Sequence, residues 1–199
     1  MLLEFPLRPV IACLLFVSVG IGGCDRQSPP VEQANAVAAA ASDEVPSGAA
    51  PAKADKIDRS HKGEAAPATA FQSPDGKPVT LAAFRGKPVL LNLWATWCAP
   101  CIKEMPTLDA LAVREAGTLE VLTVSQDLEG SARVGPFFAK AGYKALKPWL
   151  DPQVTLTTHY GVNLPTTILY DAEGRELWRV SGEMDWASDA AAALIAEAM

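Results

Sequence analysis

The sequence is poor in cysteine, histidine and clustered basic residues, and each shortage removes a class of function. It has four cysteines and two histidines in 199 residues. No second Cys pair or Cys/His pair exists to complete a tetrahedral zinc site with Cys98 and Cys101, and His61 and His159 stand far apart. Lys and Arg number 17 against 23 Asp and Glu, a formal net charge of -6. With no Lys/Arg run to set against that balance, a nucleic-acid partner is excluded, because phosphates require a basic face. No apolar run reaches the roughly 20 residues of a membrane-crossing helix. From about Asp25 to Ala66 the chain has no Phe, Trp, Tyr or Leu. Such a stretch cannot offset the entropy lost on ordering, and it reads as a flexible spacer. His61 falls in that spacer and is given no role.

The N-terminus does carry a shorter apolar run, Val10 to Ile21, with Arg8 before it. At about a dozen residues it has the length of a signal-peptide core. It ends in Ile21-Gly22-Gly23-Cys24, which resembles a bacterial lipobox. That resemblance implies cleavage before Cys24 and acylation of its sulfur. Residues 1–23 then form a lipoprotein-type signal peptide, residues 24–66 a lipidated cysteine and its tether, and residues 67–199 the folded domain. Asp25, next to the acylated position, points to retention in the inner membrane. More than one acyl chain anchors firmly, whereas a single chain binds reversibly. The alternative is an uncleaved signal anchor with Cys13 and Cys24 as passengers; either form exports the domain and tethers it.

Past Pro67 the pattern alternates between strand and helix. Thr69–Gln72 and Pro78–Leu81 flank Pro74-Asp75-Gly76, a turn signature that predicts a short hairpin. Val89 to Ala95 is almost continuously apolar, as in a strand buried on both faces. Ala99 to Glu115 places Ile102, Met105, Leu108, Leu111 and Ala112 on one helical face, with a kink expected at Pro106. Leu119–Val124 reads as a second buried strand, parallel to the first through a right-handed crossover. Ser131–Gly142 reads as a helix, Tyr143–Pro152 as irregular or a short strand, and Val154–Tyr160 as a short helix. Thr166–Asp171 and Glu176–Ser181 form a hairpin around Ala172-Glu173-Gly174-Arg175, and an Ala-rich helix spans Asp185–Met199. The order predicts an α/β domain with a mixed sheet and helices on both faces.

At the junction of the central strand and its helix stands Trp97-Cys98-Ala99-Pro100-Cys101. Two cysteines at this spacing can close a small disulfide ring and reopen it by exchange, and zinc sites use the same spacing.

Taken together, Leu90-Leu-Asn-Leu-Trp-Ala-Thr-Trp-Cys-Ala-Pro-Cys101 and Gly161-Val-Asn-Leu-Pro-Thr166 resemble the thioredoxin superfamily. Within it they are most similar to the TlpA/ResA group of membrane-tethered bacterial thiol–disulfide oxidoreductases. The resemblance covers roughly Ala66 to Met199. It implies a thioredoxin-like three-layer α/β/α sandwich, with an extra N-terminal β-hairpin and a β-α insert near Gln126–Trp149. It also implies a redox-active Cys98–Cys101 disulfide. Cys98, at the helix N-terminus, is the exposed nucleophile whose thiolate the helix dipole stabilises. Cys101, one turn on and more buried, resolves the mixed disulfide. Glu104 handles the proton, all the more because Asn92 stands where many thioredoxins hold a buried Asp. Pro165 is the cis-proline beside the disulfide. Leu164 offers backbone hydrogen bonds to substrate, and Trp97 covers Cys98 and gives partners an apolar contact. Trp94, Trp149, Trp178 and Trp186 are read as packing residues.

The cysteine pair carries the electrons itself, so neither cofactor nor metal is implied. The functional expectation is a periplasmic reductase of protein disulfides: apocytochrome c, copper-site cysteines or general thiols. Its electrons would come from a membrane relay of the DsbD/CcdA type. No His lies between the cysteines, and strongly oxidising relatives carry one there. The alternatives are an oxidase or isomerase on the same scaffold, and a copper chaperone using Cys98, Cys101 and His159. A peroxidase is disfavoured because the nucleophile lacks a Thr-x-x-Cys context.

Overall fold

Val89–Trp94 is buried at every position, the mark of a strand covered on both sides. It lies near the middle of one eight-stranded sheet in a computed structural model that describes residues 57–199. The expected signal peptide, Cys24 and the tether up to residue 56 lie outside the described residues. In chain order the elements are β1 (Ile57–Asp58), β2 (Phe71–Gln72), β3 (Pro78–Val79), a 3₁₀ turn (Leu81–Phe84), β4 (Val89–Trp94) and α1 (Ala99–Arg114). They continue with β5 (Glu120–Ser125), α2 (Ser131–Ala141), β6 (Trp149–Leu150), α3 (Thr155–Tyr160), β7 (Thr166–Tyr170), β8 (Glu176–Ser181) and α4 (Asp189–Ile195).

The sheet order is β1-β8-β7-β4-β5-β6-β2-β3. β4 runs parallel to β5 and antiparallel to β7, with Leu93 opposite Thr166. That register brings the C-terminal end of β4 and the N-terminal end of β7 to the same edge, so the loop to Cys98 and the segment around Pro165 become neighbours. Alternation along β4 separates two cores. Leu90 and Trp94 pack with Met105, Leu108 and Leu111 of α1, Val134 of α2 and Leu194 and Ile195 of α4. Leu91 and Leu93 pack on the other face with Leu122, Ile168, Leu156 of α3 and Leu81 of the 3₁₀ turn. Each such aliphatic side chain contributes about 1.5–3 kcal/mol by burial. Asn92 shares the face of Leu90 and Trp94, so it points toward α1.

Three sequence expectations need correction. Residues 57–66 belong to the fold rather than to a spacer: β1 pairs with β8, and Ala65 bridges Arg175. This edge is made by backbone hydrogen bonds, Gly63 N to Glu176 O at 2.7 Å and Ala66 N to Gly174 O at 2.9 Å, which need no large side chains. The C-terminal helix begins at Asp189, not Asp185, because Asp185 folds the residues just after it into a turn, its carboxylate accepting from Ala187 N at 2.9 Å. Ser188 then caps the helix, accepting from Ala191 N at 3.2 Å. The short helix before β7 starts at Thr155, since Val154 takes a left-handed conformation with φ 57°. Helix α1 runs on through Pro106 to Arg114. The Thr107 hydroxyl there donates to the Glu104 carbonyl at 2.8 Å, adding a bond in the turn where proline removes one.

The Ser188 cap gives a direct check on this C-terminal boundary. Ser188→Ala is expected to cost about 1 kcal/mol, read as a lower urea midpoint with an unchanged slope.

Candidate active site

Strand β4 ends at Trp94, and the chain turns through Ala95, Thr96 and Trp97 into α1. Asp127, buried just after β5, fixes this turn. Its carboxylate accepts from Thr96 N at 2.9 Å, Thr96 Oγ1 at 2.6 Å and Ser125 Oγ at 2.7 Å. Because β4 and β5 are parallel, their C-terminal ends meet, which sets Asp127 beside the cysteine-bearing loop. The sequence reading missed this residue. A Ser-x-Asp step leaving the neighbouring parallel strand was the available clue.

Cys98 is the N-cap of α1, and its sulfur accepts from Cys101 N at 3.3 Å. The sixteen-residue helix has no acidic side chain in its first turn, and Pro100 lies within that turn. A thiolate at Cys98 therefore meets the Cys101 amide that already donates to its sulfur, and the positive end of the helix dipole with no acidic side chain in the first turn to offset it. Cys98 and Cys101 are joined as a disulfide, with their Cα atoms 5.2 Å apart. Cys98, expected to be exposed, shows only 6 % of its surface, against 0 % for Cys101. In the disulfide form Cys98 is therefore nearly as buried as Cys101. Trp97 is 69 % exposed, so most of its ring faces solvent and little of it covers the disulfide.

Glu104, 2 % exposed, lies one turn beyond Cys101. Its carboxylate accepts three hydrogen bonds: Asn92 Nδ2 at 2.8 Å, Met184 N at 3.0 Å and Trp186 Nε1 at 3.2 Å. Burial holds its pKa above the ordinary carboxylate range; these donors pull the other way and Glu183 adds to the rise. Trp186 was expected only to pack. It also anchors Glu104, as the need of a buried indole N–H for an acceptor would have suggested.

The Leu164–Pro165 peptide is cis, and Pro165 O accepts from Gly182 N at 2.8 Å. Leu164 is partly buried and touches both cores. Residue His159 is brought elsewhere. With His61, Tyr170 and Glu176 it lines a cavity at the end of β7 and β8 away from Pro165. Among the described residues no three His, Cys, Asp or Glu side chains group to hold a metal.

The comparisons agree with this geometry. A family model described as Redoxin matches residues 61–194. The chain is 34 % identical over 131 residues to the thiol-disulfide oxidoreductase ResA of Bacillus thuringiensis subsp. konkukian, covering 64 % of this chain and 74 % of the relative. It is 35 % identical over 115 residues to the thioredoxin-like protein YneN of Bacillus subtilis, covering 57 % of this chain and 67 % of that one. A solved structure, the pneumococcal exposed lipoprotein thioredoxin Etrx1 from Streptococcus pneumoniae, superposes with a TM-score of 0.57 at 30 % identity, covering 65 % of this chain and 98 % of that one. With a thioredoxin-like sheet and a disulfide capping the helix that follows its central strand, the chain belongs to the Redoxin family, as a thiol–disulfide oxidoreductase.

Proposed function

We propose that this oxidoreductase works as a reductase of protein disulfides outside the cytoplasm, held to the inner membrane by a lipidated Cys24. The observation that carries the direction is the Cys98–Cys101 pair capping α1 with only Ala99 and Pro100 between. The dipole favours the Cys98 thiolate, but no cation between the cysteines adds to it. Strong oxidants are those whose reduced form is specially stabilised; this site has the helix terminus alone. The N-terminal pattern ending in Cys24 supports the membrane anchor, and one solved relative is described as an exposed lipoprotein.

In the proposed cycle the Cys98 thiolate attacks a substrate disulfide, one substrate sulfur leaves as thiolate, and a mixed disulfide forms. Glu104 takes the proton of Cys101. The Cys101 thiolate then attacks Cys98 Sγ, expels the second substrate thiolate and leaves the Cys98–Cys101 disulfide. Substrates are exported proteins with cysteine pairs, apocytochrome c haem-site or copper-site cysteines among them. Cytosolic thiol pools do not reach an exported domain, so a DsbD/CcdA-type membrane relay would restore the dithiol. Trp97 supplies apolar contact, and the backbone at Leu164 pairs with the substrate strand.

The direction is tested by the midpoint potential of the pair, equilibrated against glutathione or dithiothreitol. A value well below about -200 mV fits a reductase. A value near or above about -180 mV, the isomerase range, overturns that reading. Trp97→Ala is expected to raise KM for a disulfide-bonded protein substrate about 10-fold, equivalent to ~1.4 kcal/mol of lost contact, measured by steady-state kinetics.

A further inference from the structure

Asn92 presents an unusual pair of facts. Its Nδ2 donates to Glu104 Oε1 at 2.8 Å and to Thr167 Oγ1 at 2.9 Å. Its Oδ1 is buried and has no hydrogen-bond partner among the described residues. A buried acceptor left unpaired is costly and calls for a reason. The amide could satisfy that oxygen only by turning over, which would set Oδ1 against Glu104.

With Glu104 ionised, that turn is forbidden, because two acceptor oxygens would then face each other. A protonated Glu104 reverses the requirement. Its Oε2 accepts from Met184 N and Trp186 Nε1, groups that donate and cannot accept. The acid proton is therefore excluded from Oε2 and must sit on Oε1, the oxygen facing Asn92. There it meets the Nδ2 donor, an opposition that ends if the amide rotates and offers Oδ1. Thr167 Oγ1 accommodates either orientation, since a hydroxyl both accepts and donates. The rotation exchanges one unpaired acceptor oxygen for two unpaired N–H donors, which is unfavourable by itself, so only the proton on Glu104 Oε1, which sets donor against donor in the unturned form, can favour it.

We propose that Asn92 is a reversible hydrogen-bond partner for Glu104, its amide turning over each time Glu104 gains or loses a proton. This rests on the reading that Glu104 takes the proton of Cys101. Asn92 is thus a positioning residue, keeping both forms of Glu104 paired in a buried site without admitting water. The surrounding titratable and charged groups are Cys98 and Cys101 on the same helix, and Glu183 from the segment after β8, itself bridged to Lys103 at 2.6 Å. From β4 and β7 only the neutral Asn92 and Thr167 face it.

The test is a pH titration of the full-length reduced protein by NMR, following the Glu104 carboxyl carbon and the contacts of the Asn92 side-chain amide. The expected result is that amide protons lie close to Thr167 at high pH and lose that proximity with the midpoint of Glu104. In Glu104→Gln the amide nitrogen of residue 104 must face Asn92, because Met184 and Trp186 still require an acceptor. The turned-over orientation should then persist at every pH. If Glu104 titrates while the Asn92–Thr167 contact stays constant, or if the Gln variant keeps that contact, the proposal is wrong. If Glu104 does not titrate, the amide has no proton to follow, and the proton-acceptor reading and the proposal fall together; if it titrates with the amide fixed, only the proposal falls.

Discussion

Cys98→Ser is expected to reduce disulfide exchange by at least about 1000-fold, because a serine hydroxyl is not ionised near neutral pH while the thiolate is the attacking form. The fold should persist, since the side chain is a small cap on α1 and serine is itself a favoured N-cap residue. Insulin-disulfide reduction, alongside an unchanged thermal transition of the dithiol form, is the measurement. The partner substitution gives a sharper signature. Cys101→Ser leaves the attacking sulfur in place and removes the resolving one, so a mixed disulfide on Cys98 should accumulate and be visible by intact mass. Residual turnover in Cys98→Ser within about 10-fold of wild type would remove Cys98 from the role of nucleophile. Absence of the trapped adduct in Cys101→Ser would do the same for the resolving step.

The second large effect concerns Glu104. Replacement by Gln keeps the shape and the acceptor toward Met184 and Trp186 but removes the titrating oxygen. The resolving step should slow by about 100-fold or more, the usual weight of a positioned proton acceptor, and its dependence on pH through the Glu104 midpoint should vanish. Stability supplies an independent reading. The folded pKa of Glu104 is raised above the ordinary carboxylate value of 4.5, chiefly by burial. Between the unfolded value and the raised folded one, the native state holds a proton that the unfolded state has released. Wild-type stability from this group is therefore complete at low pH and lost as pH rises through the folded midpoint, with a slope of at most about 1.4 kcal/mol per pH unit. Glu104→Gln should flatten that slope. Urea denaturation at a series of pH values decides it: equal slopes in the two proteins would mean that Glu104 ionises as freely as an exposed carboxylate.

The central elements were legible in the sequence because each carried a local pattern. The unbroken apolar run of β4, the helical spacing of Met105, Leu108 and Leu111, and the turn at Gly174 needed no partners to be read. The cysteine spacing and the Leu164-Pro165 step were likewise visible as short strings. What the sequence hid was chemistry made by pairing. Ile57 and Asp58 join the sheet through backbone bonds to β8, and a composition poor in large side chains says nothing about backbone. Asp127 reaches Thr96 only because two parallel strands end together. Trp186 and Met184 come to Glu104 from some eighty residues away. Each of these contacts is long-range and polar, and neither periodicity nor turn composition records such a contact.

The Asp127 clamp on Thr96 has a consequence for what a change of oxidation state must alter. The loop before Cys98 hangs from a neighbouring strand, and the residues after it are already a helix whose Cys101 is wholly buried. The backbone on either side of the disulfide is thus held by bonds that do not involve sulfur. The path of the chain on both sides is therefore set without the cross-link. What reduction must change is local to sulfur: one S–S bond is exchanged for two thiols, and the helix terminus favours the charged form of the one at Cys98.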